Sequence, residues 1–385
     1  MALRIALFTP FSPETGGGAA QLRSHLQFLT GLEVTWYYLA SQPVTPGQAQ
    51  WKWLGRRFST GELLGDLAAR SGFLPGSRAR VRKLVDQLQG DLYWVVGHYE
   101  GISVAAELEA QGKPVHLTVH DDPFGTWVRS ERYRMFRPLL RRTFPALLRG
   151  ARSVDVTSWG MRNLYRRKYG VPCFSVYLHV PDLPRLDCAP DPQKLTIGHI
   201  GTLYHPEPFR RFLLACRSLA AERKRVLEVV RIGSSPEIDA ISKDHAANFR
   251  TYGDLREPSA IPLLASCDLL YAMYPPGRSY QLFRRTSLPV KLSTYIQAQR
   301  PVFAHAPGDS TLARVVGPAG VGLVCESENQ GEIANRLKEA LGMAVDRDRF
   351  ERLRRELMGM EQVQQLGAAL RGEDWSGFEE QDFRA

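Results

Sequence analysis

Residues 286–305, TSLPVKLSTYIQAQRPVFAH, decide how the rest of the chain is read. Pro289 sets up a turn, Val290 to Gln299 keeps Leu292, Tyr295 and Ile296 on one helical face, and Pro301-Val302-Phe303-Ala304 returns as a buried-strand type of run. The order is loop, helix, strand. First-turn amides of such a helix favour an anion above them, and Lys291, Ser293 and Thr294 add a charge and two hydroxyls at that end. Taken alone, the stretch also reads as an ordinary βα unit whose helix begins with Pro and Lys.

Upstream the same rhythm repeats. Leu195 to Ile200 is followed by Gly201-Thr202-Leu203, Leu227 to Ile232 by Gly233-Ser234-Ser235, Phe249 to Tyr252 by Gly253, and Cys267 to Met273 by Tyr274-Pro275-Pro276. Strands that end in glycine or small polar residues, separated by helical spans, imply a parallel sheet with helices on both faces. The first half follows suit. Leu3 to Phe11 (LRIALFTPF) runs into SPETGGGAAQ and then a helical pattern through Leu22, Leu26 and Leu29. Gly16, Gly17 and Gly18 permit close backbone approach at that helix start, to an acceptor or a phosphate, although neither GxGxxG nor GK[ST] is present and a plain flexible loop also fits.

Glu33 to Ala40 reads as the next strand; Asp91 to Gly97 ends in His98, Tyr99 and Glu100, and Lys113 to Val119 ends in His120, Asp121 and Asp122. Ligands of open α/β sheets bind beyond the carboxyl ends of strands, so polar clusters there are candidate site residues. His120 reads either as a group that exchanges a proton or hydrogen bond with a substrate, or as part of a turn in which Asp121 or Asp122 caps the next helix. Ser153 to Thr157 and Cys173 to Val180 close this half, and PDLPRLDCAPDPQ, rich in Pro and Asp, reads as a linker.

The expected organisation is therefore α/β, with two doubly wound Rossmann-like domains. They span residues 1–180 and 194–345, with a linker at 181–193, a terminal helix over 346–371 that packs back on the first domain, and an acidic tail at 372–385. A chain of 385 residues is too long for one core. Lys plus Arg (50) exceed Asp plus Glu (40), giving +10, which favours anionic partners. The basic runs 129–144 and 162–168 read as solvated helix faces or as a surface for an anionic bilayer. No nucleic-acid signature accompanies them, so nucleic acid is not an expected partner. Five widely spaced cysteines without a CxxC pair indicate neither a zinc ribbon nor a disulfide framework, and a reduced cytoplasm fits them. No apolar run reaches the roughly 20 residues a membrane span needs, and a strand begins at once without a signal peptide, so any membrane contact is expected to be peripheral, on the inner face.

In order and spacing these motifs resemble the GT-B glycosyltransferases, in particular the nucleotide-sugar-dependent group called family 4. RIALFTPFSPETGGGAAQLRSHLQFL is similar to the family's opening strand and glycine loop, DLYWVVGHYEG and HLTVHDDPF to its strands ending in histidine, and LPVKLSTYIQAQRPVFAH to its donor-site pattern LPxKLxEYxxxGxPV. The resemblance implies two domains facing each other across a cleft and transfer of a sugar from a nucleotide-diphosphate sugar to a saccharide, glycolipid or other hydroxyl acceptor. It implies no tightly bound cofactor and no metal. The implied donor set is Gly201, Thr202, Gly233, Arg284, Arg285, Lys291, Ser293 and Thr294; the implied catalytic candidates are His120, Asp121 and His98. The chain departs from the family at two acidic positions eight apart, which hold Thr286 and Thr294, and at an Arg and Lys after the first strand of the second domain, replaced by Tyr204-His205-Pro206-Glu207-Pro208. These departures leave open a non-catalytic protein on the same fold, or a phosphorylase or epimerase.

Overall fold

The computed structural model describes residues 2–14, 16–44, 50–57, 75–126, 134, 137–244, 248–378 and 383. Its chain divides into two compact units: one takes residues up to His179 together with a segment that begins at Met360, and the other runs from Val180 to Gly359.

The first unit contains β1 (Leu3–Thr9), α1 (Gly17–Leu26), β2 (Leu32–Leu39), β3 (Trp51–Gly55), α2 (Pro75–Val85), β4 (Leu92–Val96), α3 (Glu100–Ala110), β5 (Val115–Val119), α4 (Arg137–Gly150), β6 (Ser153–Val156), α5 (Trp159–Tyr169) and β7 (Phe174–Ser175). Its seven strands are parallel in the order β3-β2-β1-β4-β5-β6-β7. The chain builds outward from β1 to β3 and then resumes at β4 on the other side of β1, which makes the β1/β4 edge the topological switch point. LYWVV of β4 and VHLTV of β5 are buried throughout, as parallel strands covered on both faces must be.

One face packs against α2 to α5 through Leu84, Ile102, Leu108, Phe144 and Tyr165. The opposite face is covered by Ala19 and Leu22 of α1 together with Val363, Leu366, Ala369 and Leu370. The last four belong to the final helix of the chain.

The second unit contains β8 (Lys194–Ile200), α6 (Pro206–Glu222), β9 (Val226–Ile232), α7 (Pro236–Asp244), β10 (Asn248–Tyr252), α8 (Glu257–Ala265), β11 (Leu269–Met273), α9 (Gln281–Thr286), α10 (Lys291–Ala298), β12 (Val302–His305), α11 (Thr311–Ala319), β13 (Gly322–Cys325), α12 (Gln330–Leu341) and α13 (Arg347–Met358). Six parallel strands run in the order β10-β9-β8-β11-β12-β13, with the switch point between β8 and β11. Phe209, Phe212 and Leu213 of α6 and Ile333 and Leu337 of α12 cover one face, while α10 packs against α8 and α13 on the other.

Three local expectations change. The stretch after β2 contains an edge strand, β3, that its polar surroundings conceal. The Cys173–Val180 strand shrinks to two residues, beyond which the chain continues extended without a ladder. The single terminal helix is instead two, α13 and α14 (Met360–Arg371), parted by Gly359 in an extended conformation at φ −69°, ψ 164°. A Cβ added to Gly359 would sit 2.5 Å from the Arg355 carbonyl, so only glycine makes this break without strain.

Candidate active site

In the second unit, α10 is pinned to the switch point by Tyr295. Its hydroxyl donates to the Tyr271 carbonyl on β11 (2.8 Å) and accepts from the Ile200 amide at the end of β8 (3.2 Å). This places Gly201 and Thr202 beside the start of the helix. Lys291, the first residue of α10, donates from its ammonium to the Thr202 carbonyl at 2.7 Å and lies 5.6 Å from the centre of the Tyr204 ring. Burial among these groups pulls its pKa down to about 7. Gly201 and Gly233 both take positive φ (74° and 87°), and a Cβ on Gly233 would lie 3.5 Å from the Gly201 Cα, so the two strand-end loops abut. Lys291, Thr202, Gly201 and Gly233 thus form one cluster.

The helix start itself offers less than the sequence suggests. Its first turn is tightened: the Leu292 amide donates to Pro289 (2.9 Å) and the Ser293 amide to Val290 (3.0 Å), and the buried Ser293 hydroxyl also donates to Val290 (2.8 Å). Those three donors are spent within the turn. Thr294 is buried one residue further on. Arg284 is committed elsewhere, since its guanidinium forks onto Asp309 (2.5 and 3.0 Å) and donates to the Gly277 carbonyl (2.6 Å). Arg285 is half exposed and donates to the same carboxylate at 2.8 Å. The Thr286 hydroxyl bonds back to Leu282 at 2.7 Å. Where the expected Arg and Lys are replaced, Tyr204 stacks on Tyr274 (5.6 Å, 10° between planes) and Phe283 meets both rings edge-on.

In the first unit, Gly16 adopts φ 89° before α1, Gly17 begins the helix, and Gly18 lies against His120: a Cβ there would come within 2.7 Å of the His120 Nδ1. Phe11 stacks on the imidazole with centroids 6.0 Å apart. Thr157 donates to the His120 carbonyl at 2.7 Å and fixes the backbone after β5. Burial drops the imidazole pKa to about 4; Asp155 opposes this and His25 adds to it. His120 is therefore neutral at pH 7 and able to accept a proton.

The turn-capping role falls to Asp122. It accepts from the Phe124 and Gly125 amides (2.9 Å each) and from the Tyr165 hydroxyl (3.0 Å), while Asp121 stays half-buried beside it. His98 follows β4, its ring centroid 3.8 Å from that of Tyr99. Tyr99 takes φ 45°, ψ −120° before α3, and Gly101 lies tight against β4: a Cβ on Gly101 would stand 1.8 Å from the Val96 carbonyl oxygen. Sequence reasoning misses Tyr295, Phe11 and Asp309 as parts of the site, because their roles are tertiary contacts with no local motif.

Among the described residues the basic runs are occupied in part. Residues 129–133, 135 and 136 lie outside the described residues; within α4, Leu140, Phe144, Leu147 and Leu148 face the core, so its apolar side is covered. In α5, Arg162 is buried, Arg166 donates to the Cys173 carbonyl and Lys168 sits over the Phe124 and Tyr169 rings. Among the described residues no group of three or more His, Cys, Asp or Glu is placed to hold a metal ion, and no helix is long and apolar enough to cross a membrane.

No protein-family model matches the chain, and no curated protein matches it by sequence. Solved structures do. Sucrose-phosphate synthase (tll1590) from Thermosynechococcus elongatus superimposes with a TM-score of 0.68 at 16% identity, over 96% of this chain and 98% of that one. A putative UDP-N-acetylglucosamine 2-epimerase from Listeria monocytogenes gives 0.58 at 14%, over 96% of each chain. WaaG, a glycosyltransferase involved in lipopolysaccharide biosynthesis, gives 0.55 at 14%, over 96% of this chain and 100% of that one. With two parallel α/β units matched along nearly their whole length, the chain has the GT-B fold of these glycosyltransferases.

Proposed function

We propose that this protein transfers a sugar from a nucleotide-diphosphate sugar to a hydroxyl acceptor, in the making of a glycan, polysaccharide or glycolipid. The observation that carries the reading is Lys291, held by Thr202 at the switch point of the second sheet. The leaving diphosphate needs a cation there, and an ammonium already held at the site stabilises developing negative charge with little reorganisation. The reaction is proposed to run without a tightly bound cofactor or metal. In the first unit the acceptor would lie along Gly17-Gly18 and His120. The neutral imidazole would take the hydroxyl proton as the acceptor oxygen bonds to the anomeric carbon and the bond to the diphosphate breaks. Asp121 and His98 are the alternative bases, and both the inverting and the retaining outcome stay open. The excess of basic residues suits an acceptor that is anionic or lipid-linked at the inner face of a membrane.

A second reading, a protein that binds nucleotide without turnover, draws on Thr286 and Thr294. Neither carries a carboxylate, and the Thr286 hydroxyl is spent on its own helix. The epimerase among the structural neighbours keeps a third sugar chemistry in view. Calorimetry with UDP, GDP, ADP, TDP and CMP, on the wild type and Lys291→Ala, tests the donor site. Selective diphosphate binding weakened by the substitution supports it, and the matching nucleotide sugar is then assayed for transfer and hydrolysis. Binding without either reaction favours the second reading, and no binding at all removes the first.

A further inference from the structure

Gly18, Gln21 and His25 fall on one face of α1, being three and four residues apart in turn. Gly18 touches His120 on that face. The other two residues are almost wholly buried, at 1% and 2% exposure, and each has one end fixed. The Gln21 amide nitrogen donates to the Val176 carbonyl at 2.9 Å, so its Oε1 points the other way. The His25 Nε2 lies 2.9 Å from the Tyr177 carbonyl, which can only accept; Nε2 therefore bears the hydrogen. Burial lowers the His25 pKa, so the ring is neutral and its Nδ1 is a bare lone pair.

Gln21 Oε1 and His25 Nδ1 are thus two buried acceptors, and neither has a donor among the described residues. Nε2 of His120 is another buried polar atom without a partner among the described residues, and the His179 imidazole also lies near enough to act on the His25 charge. Asp155, whose charge is felt by both His25 and His120, supplies another acceptor, and its Oδ1 is already taken by His116 and Thr118. If His120 Nε2 were a lone pair, it would add one more acceptor to Gln21 Oε1, His25 Nδ1 and Asp155, and buried unpaired acceptors are costly. A hydrogen on that nitrogen provides a donor for them.

We infer that His120 is held as the Nε2–H tautomer, with Gln21 and His25 as positioning residues that accept from it through a bridging water, so that Nδ1, beside Gly18, is the basic nitrogen. That Nδ1 takes the acceptor proton rests on the proposed sugar transfer; the tautomer itself does not. The glycine loop then has a second duty, because Gly18 leaves open the side of the ring where the lone pair lies.

The test is nitrogen-15 NMR of the full chain labelled at histidine, at pH 7 and without substrate, with His120 assigned from the spectrum of His120→Asn. Nε2 is expected as the protonated nitrogen and Nδ1 as the bare one. The reverse pattern would overturn the inference. In Gln21→Leu and His25→Phe the His120 signals should move toward a mixture of tautomers, while Gln21→Glu and His25→Gln, which keep an acceptor, should stay near the wild type if the first pair folds poorly. An unchanged tautomer in all four overturns the positioning role. Should transfer be found, kcat in Gln21→Leu is expected to fall about tenfold with the donor KM little changed, a ratio worth about 1.4 kcal/mol. If the tautomer is as stated and no nucleotide sugar is consumed, the positioning stands and the sugar-transfer reading falls.

Discussion

Lys291 and Thr202, at the head of α10 and just beyond β8, are joined by a 2.7 Å hydrogen bond from ammonium to carbonyl. A carbonyl is a weaker partner for a full charge than a phosphate oxygen, and under the proposed function Lys291 exchanges the one for the other. Because its pKa is drawn down to about 7, the ammonium is half-populated near neutrality. Affinity for a nucleoside diphosphate is therefore expected to fall as pH rises from 6 to 8.5 in calorimetry. Lys291→Arg, which keeps its charge, should lose that dependence.

The same shift bears on stability. The lysine binds a proton less readily folded (about 7) than unfolded (10.5), so between these values the unfolded chain holds more protons and stability rises with pH. Thermal melts of the ligand-free protein should show the rise between pH 7 and 9, and Lys291→Met should show less of it.

His120, with a pKa near 4, stays neutral across the working range. If it is the base, kcat/KM should show no acid limb from this group above about pH 5, its acid limb lying near pH 4. His120→Asn should cost about 10²–10⁴ in rate and leave nucleotide affinity intact.

Two glycines separate function from folding. A Cβ at Gly18 meets the movable rings of His120 and Phe11, at 2.7 and 3.1 Å, whereas one at Gly101 meets the Val96 carbonyl at 1.8 Å. Gly18→Ala should remain folded with a reduced transfer rate. Gly101→Ala must displace backbone and should lower Tm by several degrees or prevent accumulation of the folded protein.

Asp309→Asn probes the clasp on Arg284 and Arg285. Burial raises the Asp309 carboxyl pKa, but the hydrogen bond and charge of Arg284, with Arg285, outweigh it and hold it below the usual range. The stabilisation is present above the ordinary carboxyl pKa and lost as pH falls through the lowered one. The variant should be destabilised by about 2 kcal/mol at pH 7, and in denaturant titrations the difference should shrink as pH falls below the ordinary carboxyl range.

Much of this architecture was readable because β4 (LYWVV) and β11 (LLYAM) are buried throughout and so appear as unbroken apolar runs. The edge strand β3 was not, since WKWLG is only partly buried and its partner lies on one side alone. The break at Gly359 was hidden for another reason: a lone glycine within a helical pattern is tolerated, and what decides the break is that α13 buries Leu353 and Leu357 in the second unit while α14 buries Leu366 and Leu370 in the first. At the site, strand-end glycines and Lys291 could be placed by the switch-point rule. Which donors remained available could not. The tight turn that consumes the Leu292 and Ser293 amides and the carboxylate that claims Arg284 are set by contacts between segments far apart in sequence.

The closing of one face of the first sheet by Val363, Leu366, Ala369 and Leu370 orders events during synthesis. A nascent chain that has emerged only as far as Gly359 holds every strand of that sheet yet still lacks the helix that covers Ile5, Leu7, Trp36 and Trp94. Its first-made strands wait, with that face covered only in part by α1, until α14 has been made. Vectorial, unit-by-unit completion is closed to this protein, and its first unit finishes after its second.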